Sequence, residues 1–316
     1  MASKTGLILE GGALRGIFTA GVAGSASGIP LDVESETGVK SVSVTKLPVG
    51  MKYDSKSGLI IGAPTKAGDY TIILTVTTKS GAKRTENITI SVAALPDGAT
   101  GTFNGFVKAA DGEENLGMLQ LTATDVGKLA AKVVTSGGTY SFSGTWWDSY
   151  EYGLCFVTLV TKKGDELMLT LDPSAGWDAT QLIGTFYMTG GMIREVSARR
   201  NAFGKTWYFT ADGSIDSGWT LAYAENAKAA NLTVTLSADG STKIAGKLDT
   251  LSVNASGYSD VTGLANGVIF ADFVPVVSVP QGKAKVKMAL SIRTHLWFDR
   301  SNDHWEGIGS AVFVDK

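Results

Sequence analysis

The sequence predicts an all-β protein, a small β-sandwich followed by a duplicated antiparallel β-barrel or sandwich, and three observations carry that expectation. Glycine occurs 39 times in 316 residues, against about 7% in average proteins; helix interiors tolerate it poorly, whereas turns need it. Apolar residues alternate with polar ones over short runs separated by turn residues. The C-terminal part of the chain repeats itself.

Alternation is clearest at Tyr70, Ile72, Leu74 and Val76, which fall on one face of a strand, with Thr71, Ile73, Thr75 and Thr77 on the other. Ile88, Ile90 and Val92 alternate in the same way with Thr89 and Ser91. The turns between such runs come in a fixed order: Leu47-Pro48-Val49-Gly50, then Ser57-Gly58-Leu59-Ile60-Ile61-Gly62-Ala63-Pro64-Thr65, then Ala67-Gly68-Asp69-Tyr70. This series resembles the "putative Ig" family of cadherin-like modules common in bacterial surface proteins. The resemblance implies an immunoglobulin-like sandwich over residues 23–94 and an extracellular or cell-surface location. Some relatives bind calcium between modules; here Asp32, Glu34, Glu36, Asp54, Asp69 and Asp97 are scattered, so calcium would need loops that converge in space.

The preceding stretch, residues 1–22, contains Leu7-Ile8-Leu9-Glu10-Gly11-Gly12-Ala13-Leu14-Arg15-Gly16-Ile17-Phe18. It resembles the opening strand, glycine-rich turn and first helix of patatin-like phospholipases, which implies oxyanion donors at Gly11, Gly12, Arg15 and Gly16. The nucleophile elbow of that family is missing, because Gly24-Ser25-Ala26-Ser27-Gly28 has alanine at the nucleophile position. Asp97-Gly98 has the form of the family's dyad aspartate but no serine partner. The segment therefore reads as a fusion scar or the inactive remnant of a lipid hydrolase. Glu10 and Arg15 interrupt its apolar run, so it is not a typical secretion signal, and a natural leader could be absent from the sequence.

Leu95-Pro96-Asp97-Gly98-Ala99-Thr100-Gly101 reads as a linker. Beyond it lies a second unit, residues 102–316, with halves at 102–200 and 201–316. Residues 119–124 resemble 232–237, 128–133 resemble 243–248, 139–142 resemble 250–253, and 183–186 resemble 308–311. Two hairpin-rich halves suggest meanders that together close one barrel, with two independent β domains as the alternative. An outer-membrane barrel fits less well, because the strands lack a continuous lipid-facing apolar band.

All seven tryptophans lie in this second unit. Trp146, Trp147, Tyr150 and Tyr152, with Trp177 and Trp219, suit packing against sugar rings; alternatively, they fill the barrel and cap its end. His295, Asp299 and His304 become weak candidate metal ligands if a hairpin turns at Ser301-Asn302, which would set His304 opposite Asp299. Glu151, Asp165, Glu166 and Asp178 offer carboxylates without any indication of pairing. Arg194, Arg199 and Arg200 form a small basic patch at the junction of the halves. Cys155, the single cysteine, excludes an intrachain disulfide framework and reads as a buried strand thiol.

A net charge of −2 gives no sequence-wide attraction to nucleic acid. The chain has no run of about 20 apolar residues that would suit a transmembrane helix. The expected role is that of a non-enzymatic surface or secreted protein, an Ig-like spacer presenting a β-barrel to a glycan or to another surface protein. The alternative is a purely structural segment of a larger surface protein.

Overall fold

The computed structural model turns the alternating runs into strands. It describes residues 7–9, 18–23, 29–30, 33–35, 38–110, 115–135, 137–173, 181–201, 206–215, 217–225, 231–260, 268–273, 276–281, 284–299 and 304–314. Among the described residues no helix is long and apolar enough to cross a membrane.

The N-terminal part contributes β1 (Leu7–Leu9), β2 (Phe18–Thr19), β3 (Ile29–Pro30), β4 (Val33–Ser35), β5 (Val39–Thr45), β6 (Met51–Asp54), β7 (Leu59–Gly62), β8 (Gly68–Thr78) and β9 (Lys83–Ala93). A four-stranded sheet, in the order β2-β9-β8-β5, is accompanied by a three-stranded one, β3-β7-β6. Two sheets of this size are the expectation for an immunoglobulin-like module. The face predicted for β8 is the buried one: Ile72, Leu74 and Val76 are almost completely covered, and Ile90 and Val92 of β9 are buried with Ile60 and Phe18.

At Phe18 the structure departs from what the patatin-like resemblance implies. The expected first helix is instead strand β2, parallel to β9 with Phe18 opposite Val92, followed by a turn at Ala20 and Gly21. The physical reason is burial, since the aromatic ring of Phe18 belongs to the sandwich core. Strand β1 pairs antiparallel with β4. The candidate oxyanion residues Gly11, Gly12, Arg15 and Gly16 lie outside the described residues.

A short 3-10 turn at Asp97–Ala99 leads into the second unit. Leu95 and Ala99 are buried in the core that follows, so this connection packs against the sheet. Nine strands come next: β10 (Gly101–Lys108), β11 (Asn115–Ala123), β12 (Leu129–Thr135), β13 (Gly138–Gly144), β14 (Ser149–Glu151), β15 (Leu154–Val160), β16 (Glu166–Asp172), β17 (Gln181–Met188) and β18 (Met192–Arg200). They form one antiparallel sheet, β13-β12-β11-β10-β18-β17-β16-β15-β14, in which the first strand pairs with the last and the meander curls on itself.

The remaining strands are β19 (Trp207–Ser214), β20 (Gly218–Ala224), β21 (Leu232–Leu236), β22 (Ser241–Leu248), β23 (Leu251–Asp260), β24 (Val268–Phe273), β25 (Val276–Gln281), β26 (Ala284–Asp299) and β27 (His304–Val314). Their order is β24-β23-β22-β21-β19-β20-β27-β26-β25, and β24 also pairs with β26, which closes a ring. Each curled sheet encloses its own core, the first around Phe103, Leu121, Trp147 and Phe186, the second around Phe209, Val234, Ile244 and Ile292. Among the described residues no strand of one half pairs with a strand of the other, so the halves form two curled sheets rather than one continuous sheet. About eight strands already curl tightly enough for their inward side chains to fill the interior.

The internal repeat maps onto this architecture strand by strand. Its four matched segments fall on β11 and β21, β12 and β22, β13 and β23, and β17 and β27, and each pair holds the same place in its sheet. Chain order differs at two points: the strand between β10 and β17 is the last of its half, β18, whereas its counterpart between β19 and β27 is the second, β20; and β14 lies beside β15 at one end of its sheet, whereas β24 lies beside β23 at the other and also pairs with β26.

Candidate functional site

The aromatic cluster follows directly on β13. After Gly144 the chain turns through Trp147, whose backbone N–H donates to the Gly21 carbonyl at 2.9 Å and whose carbonyl accepts from the Ala23 N–H at 2.8 Å. The first curled sheet is thereby stitched to the sandwich, and the Trp147 indole is 0% exposed in the core beneath. Asp148 fixes the next turn, its carboxylate accepting from the Thr158 N–H at 2.6 Å. This leaves Trp146 half-buried, while Tyr150 on β14 is 36% exposed and Tyr152, at the β14–β15 turn, 98%.

Of the six aromatics expected to form a sugar platform, Trp146, Tyr150 and Tyr152 thus reach the surface along one short segment. Trp147 and Trp219 do not: both are buried in cores, Trp219 lying across Gly309 in the second sheet. Their large apolar area favours burial over display. Trp177 lies outside the described residues.

A second feature opens beside β13. The edges of β13 and β15 are not hydrogen-bonded to each other, and a cleft of about 530 Å³ lies between them. Thr139, Ser141 and Ser143 line it from β13, with Val160, Thr161, Lys162 and Lys163 opposite. Asp165 also borders it, but its carboxylate is engaged. It accepts from the backbone N–H and the hydroxyl of Thr189, both at 3.0 Å, and from the Thr161 hydroxyl at 2.8 Å. The Thr189 N–H above all holds this carboxyl below its ordinary pKa, with the two hydroxyls adding to the effect. Asp165 is therefore a turn-fixing anion, and the accessible groups of the cleft are hydroxyls and ammoniums.

The hairpin postulated for the histidines is present: β26 and β27 pair with Asp299 opposite His304. His295 stands on the outward side of β26, between the buried Thr294 and Leu296. Among the described residues no group of three His, Cys, Asp or Glu side chains could hold a metal ion. In the sandwich, Asp54 accepts from the Ser57 hydroxyl at 2.7 Å and Asp69 from the Ser91 hydroxyl at 2.5 Å, so these two carboxylates serve local turns and strand pairing. Burial pushes the Cys155 thiol up to about 12, which leaves it protonated and unsuited to nucleophilic attack.

Reasoning from sequence missed the contacts that hold the units together. Gly127 in the β11–β12 turn and Gly240 in the β21–β22 turn both have φ of +79°. Gly127 lies against the backbone of Gly21 in the sandwich, while Gly240 lies against the Asn104 side chain of the first curled sheet. Asn104, fully buried, donates to the Asp239 carbonyl at 2.9 Å, and Asn201 donates to the Ala238 carbonyl at 2.5 Å. The same hairpin turn of each half therefore docks on the unit before it. Asp239-Gly240 is legible as a turn, but nothing local marks it as a docking point.

Residues 18–93 match the family described as "Putative Ig domain". A 59-residue stretch is 41% identical to "Serine-rich adhesin for platelets" of Staphylococcus aureus strains MRSA252 and USA300. That stretch covers 19% of this chain and 4% and 3% of the two adhesins, respectively. The likeness establishes an Ig-like domain of a kind also present in a bacterial surface adhesin.

Proposed function

We propose that this chain is a non-catalytic surface-adhesion protein in which the Ig-like module acts as a spacer and the paired curled sheets carry the ligand-binding surface. The single observation behind this reading is the Ig-like domain shared with a staphylococcal adhesin. The same likeness supports a surface location for this chain. The ligand proposed is a glycan, gathered by Trp146, Tyr150 and Tyr152, because an exposed ring such as Tyr152 offers a flat apolar face for sugar C–H groups and a hydroxyl for hydrogen bonding.

The test is a glycan-array screen of the full chain beside a Trp146→Ala/Tyr152→Ala variant. Both positions keep solvent contact, so the variant is expected to fold. Saturable binding by the wild type that the variant loses supports the platform. Absence of binding by the folded wild type shifts the reading to a purely structural segment.

A further inference from the structure

The two halves differ at one strand edge. In the first half β18 accompanies β17 along its whole length, so that Thr185, Phe186, Tyr187 and Met188 face Glu195, Arg194, Ile193 and Met192. The counterpart positions on β27 are Ser310, Ala311, Val312 and Phe313, by alignment of Gly184, opposite Val196, with Gly309, opposite Trp219. Here the partner strand β20 stops short. It begins at Gly218, directly after the β19–β20 turn, and its last pairing with β27 is Trp219 with Gly309. Residues 310–314 remain paired to β26 on one side only, and among the described residues no strand covers the other. A cleft of about 920 Å³ lies along this edge, bounded at the turn by Ile215 and Ser217.

We infer that residues 310–314 of β27 are a docking edge for a second copy of this chain, which adds its own 310–314 segment antiparallel across a two-fold axis near Val312. The occupant has to be a strand, because the same place in the sister sheet is filled by one, running in the same antiparallel sense. A second copy fits the chemistry of the edge. Residues 307–314 carry no charge, so two copies approach without repulsion. The segment also has no lysine, proline or bulge of the kind that protects exposed edges from pairing. On the outward face Val312, at the proposed axis, is 65% exposed, apolar surface that its copy would pack against in a continuous intermolecular sheet. A two-fold axis makes the contact self-complementary and limits assembly to a dimer.

Two measurements on the full chain decide the matter. In sedimentation equilibrium the wild type is expected to pass from monomer to dimer across a concentration series, and Val312→Lys to weaken dimerisation about tenfold or more by opposing two ammoniums at the axis. The exposed position leaves the fold intact, which an unchanged melting temperature checks. Val312→Cys is expected to form a disulfide-linked dimer on mild oxidation, because directly opposed antiparallel residues have the Cα spacing a disulfide needs. The buried Cys155 thiol does not compete. The inference stands only if both arms hold. A wild type that stays monomeric overturns it, as does a dimer indifferent to Val312→Lys or one that Val312→Cys fails to link. A monomer that binds a synthetic peptide of residues 190–196 assigns the edge to another polypeptide and equally removes the second copy.

Discussion

The first and second curled sheets are built from matching strands, yet each is sealed where the other is open. In the first, β17 is fully covered by β18, but β13 and β15 stand apart without hydrogen bonds. In the second, β24 bonds both β23 and β26 and closes the ring, while β27 loses its cover beyond Gly309. Both sheets bury apolar inner faces, and much of their divergence lies at strand edges. A duplicated fold can change there at little cost to its core, and an open edge is also where a new ligand or partner can be taken up.

Core substitutions test first whether the two sheets are separate bodies. Trp147→Ala should destabilise the first sheet by about 3–5 kcal/mol, and Trp219→Ala the second by a similar amount. Urea unfolding followed by near-UV circular dichroism should resolve two transitions, each moved by only one variant. A single transition moved by both would show that the sheets unfold together. Next come the docking turns. Alanine at Gly127 would place a methyl group into the Gly21 backbone at left-handed φ, with an expected loss of about 2–3 kcal/mol. At Gly240 the obstacle is the Asn104 amide, and about 1–2 kcal/mol is expected. Thermal melts rank the two, and a larger effect at Gly240 would reverse this order.

Removing the clamp itself has a smaller effect. Asn104→Ala leaves the Asp239 carbonyl without its donor and should lower stability by about 1–2 kcal/mol, while increasing protease cleavage between the halves. Asp165 gives the smallest effect and a signature in pH. Its folded pKa is depressed, so its contribution is present above the unfolded value of about 3.9 and is lost as pH falls through the folded value. The wild type should therefore lose part of its thermal stability on strong acidification, and Asp165→Asn should show a flatter profile there. Parallel profiles for the two proteins would count against the proposed role of the Thr161 and Thr189 bonds.

Much of the fold was legible because strand periodicity is local. The burial of Ile72, Leu74 and Val76 repeats the alternation visible in the sequence, and the repeated segments mark equivalent strands from residue order alone. The candidate site was only partly legible. Trp146 and Trp147 are adjacent and chemically identical, but the bend after Gly144 sends the second into the core and leaves the first half-buried. Asn104 and Asn201 look like ordinary polar strand residues, and their importance comes from Ala238 and Asp239, distant in sequence.

By itself the sequence determined the all-β class, the Ig-like module, the repeated segments and the buried thiol, because alternation, turn residues and repeats act over a few neighbouring positions. Only the tertiary structure decided that each half gathers its own core, that Phe18 joins the sandwich, which tryptophans are buried and which edges stay open. Those outcomes depend on which strand ends meet across long stretches of chain, and the register of such distant pairings is written in no local pattern.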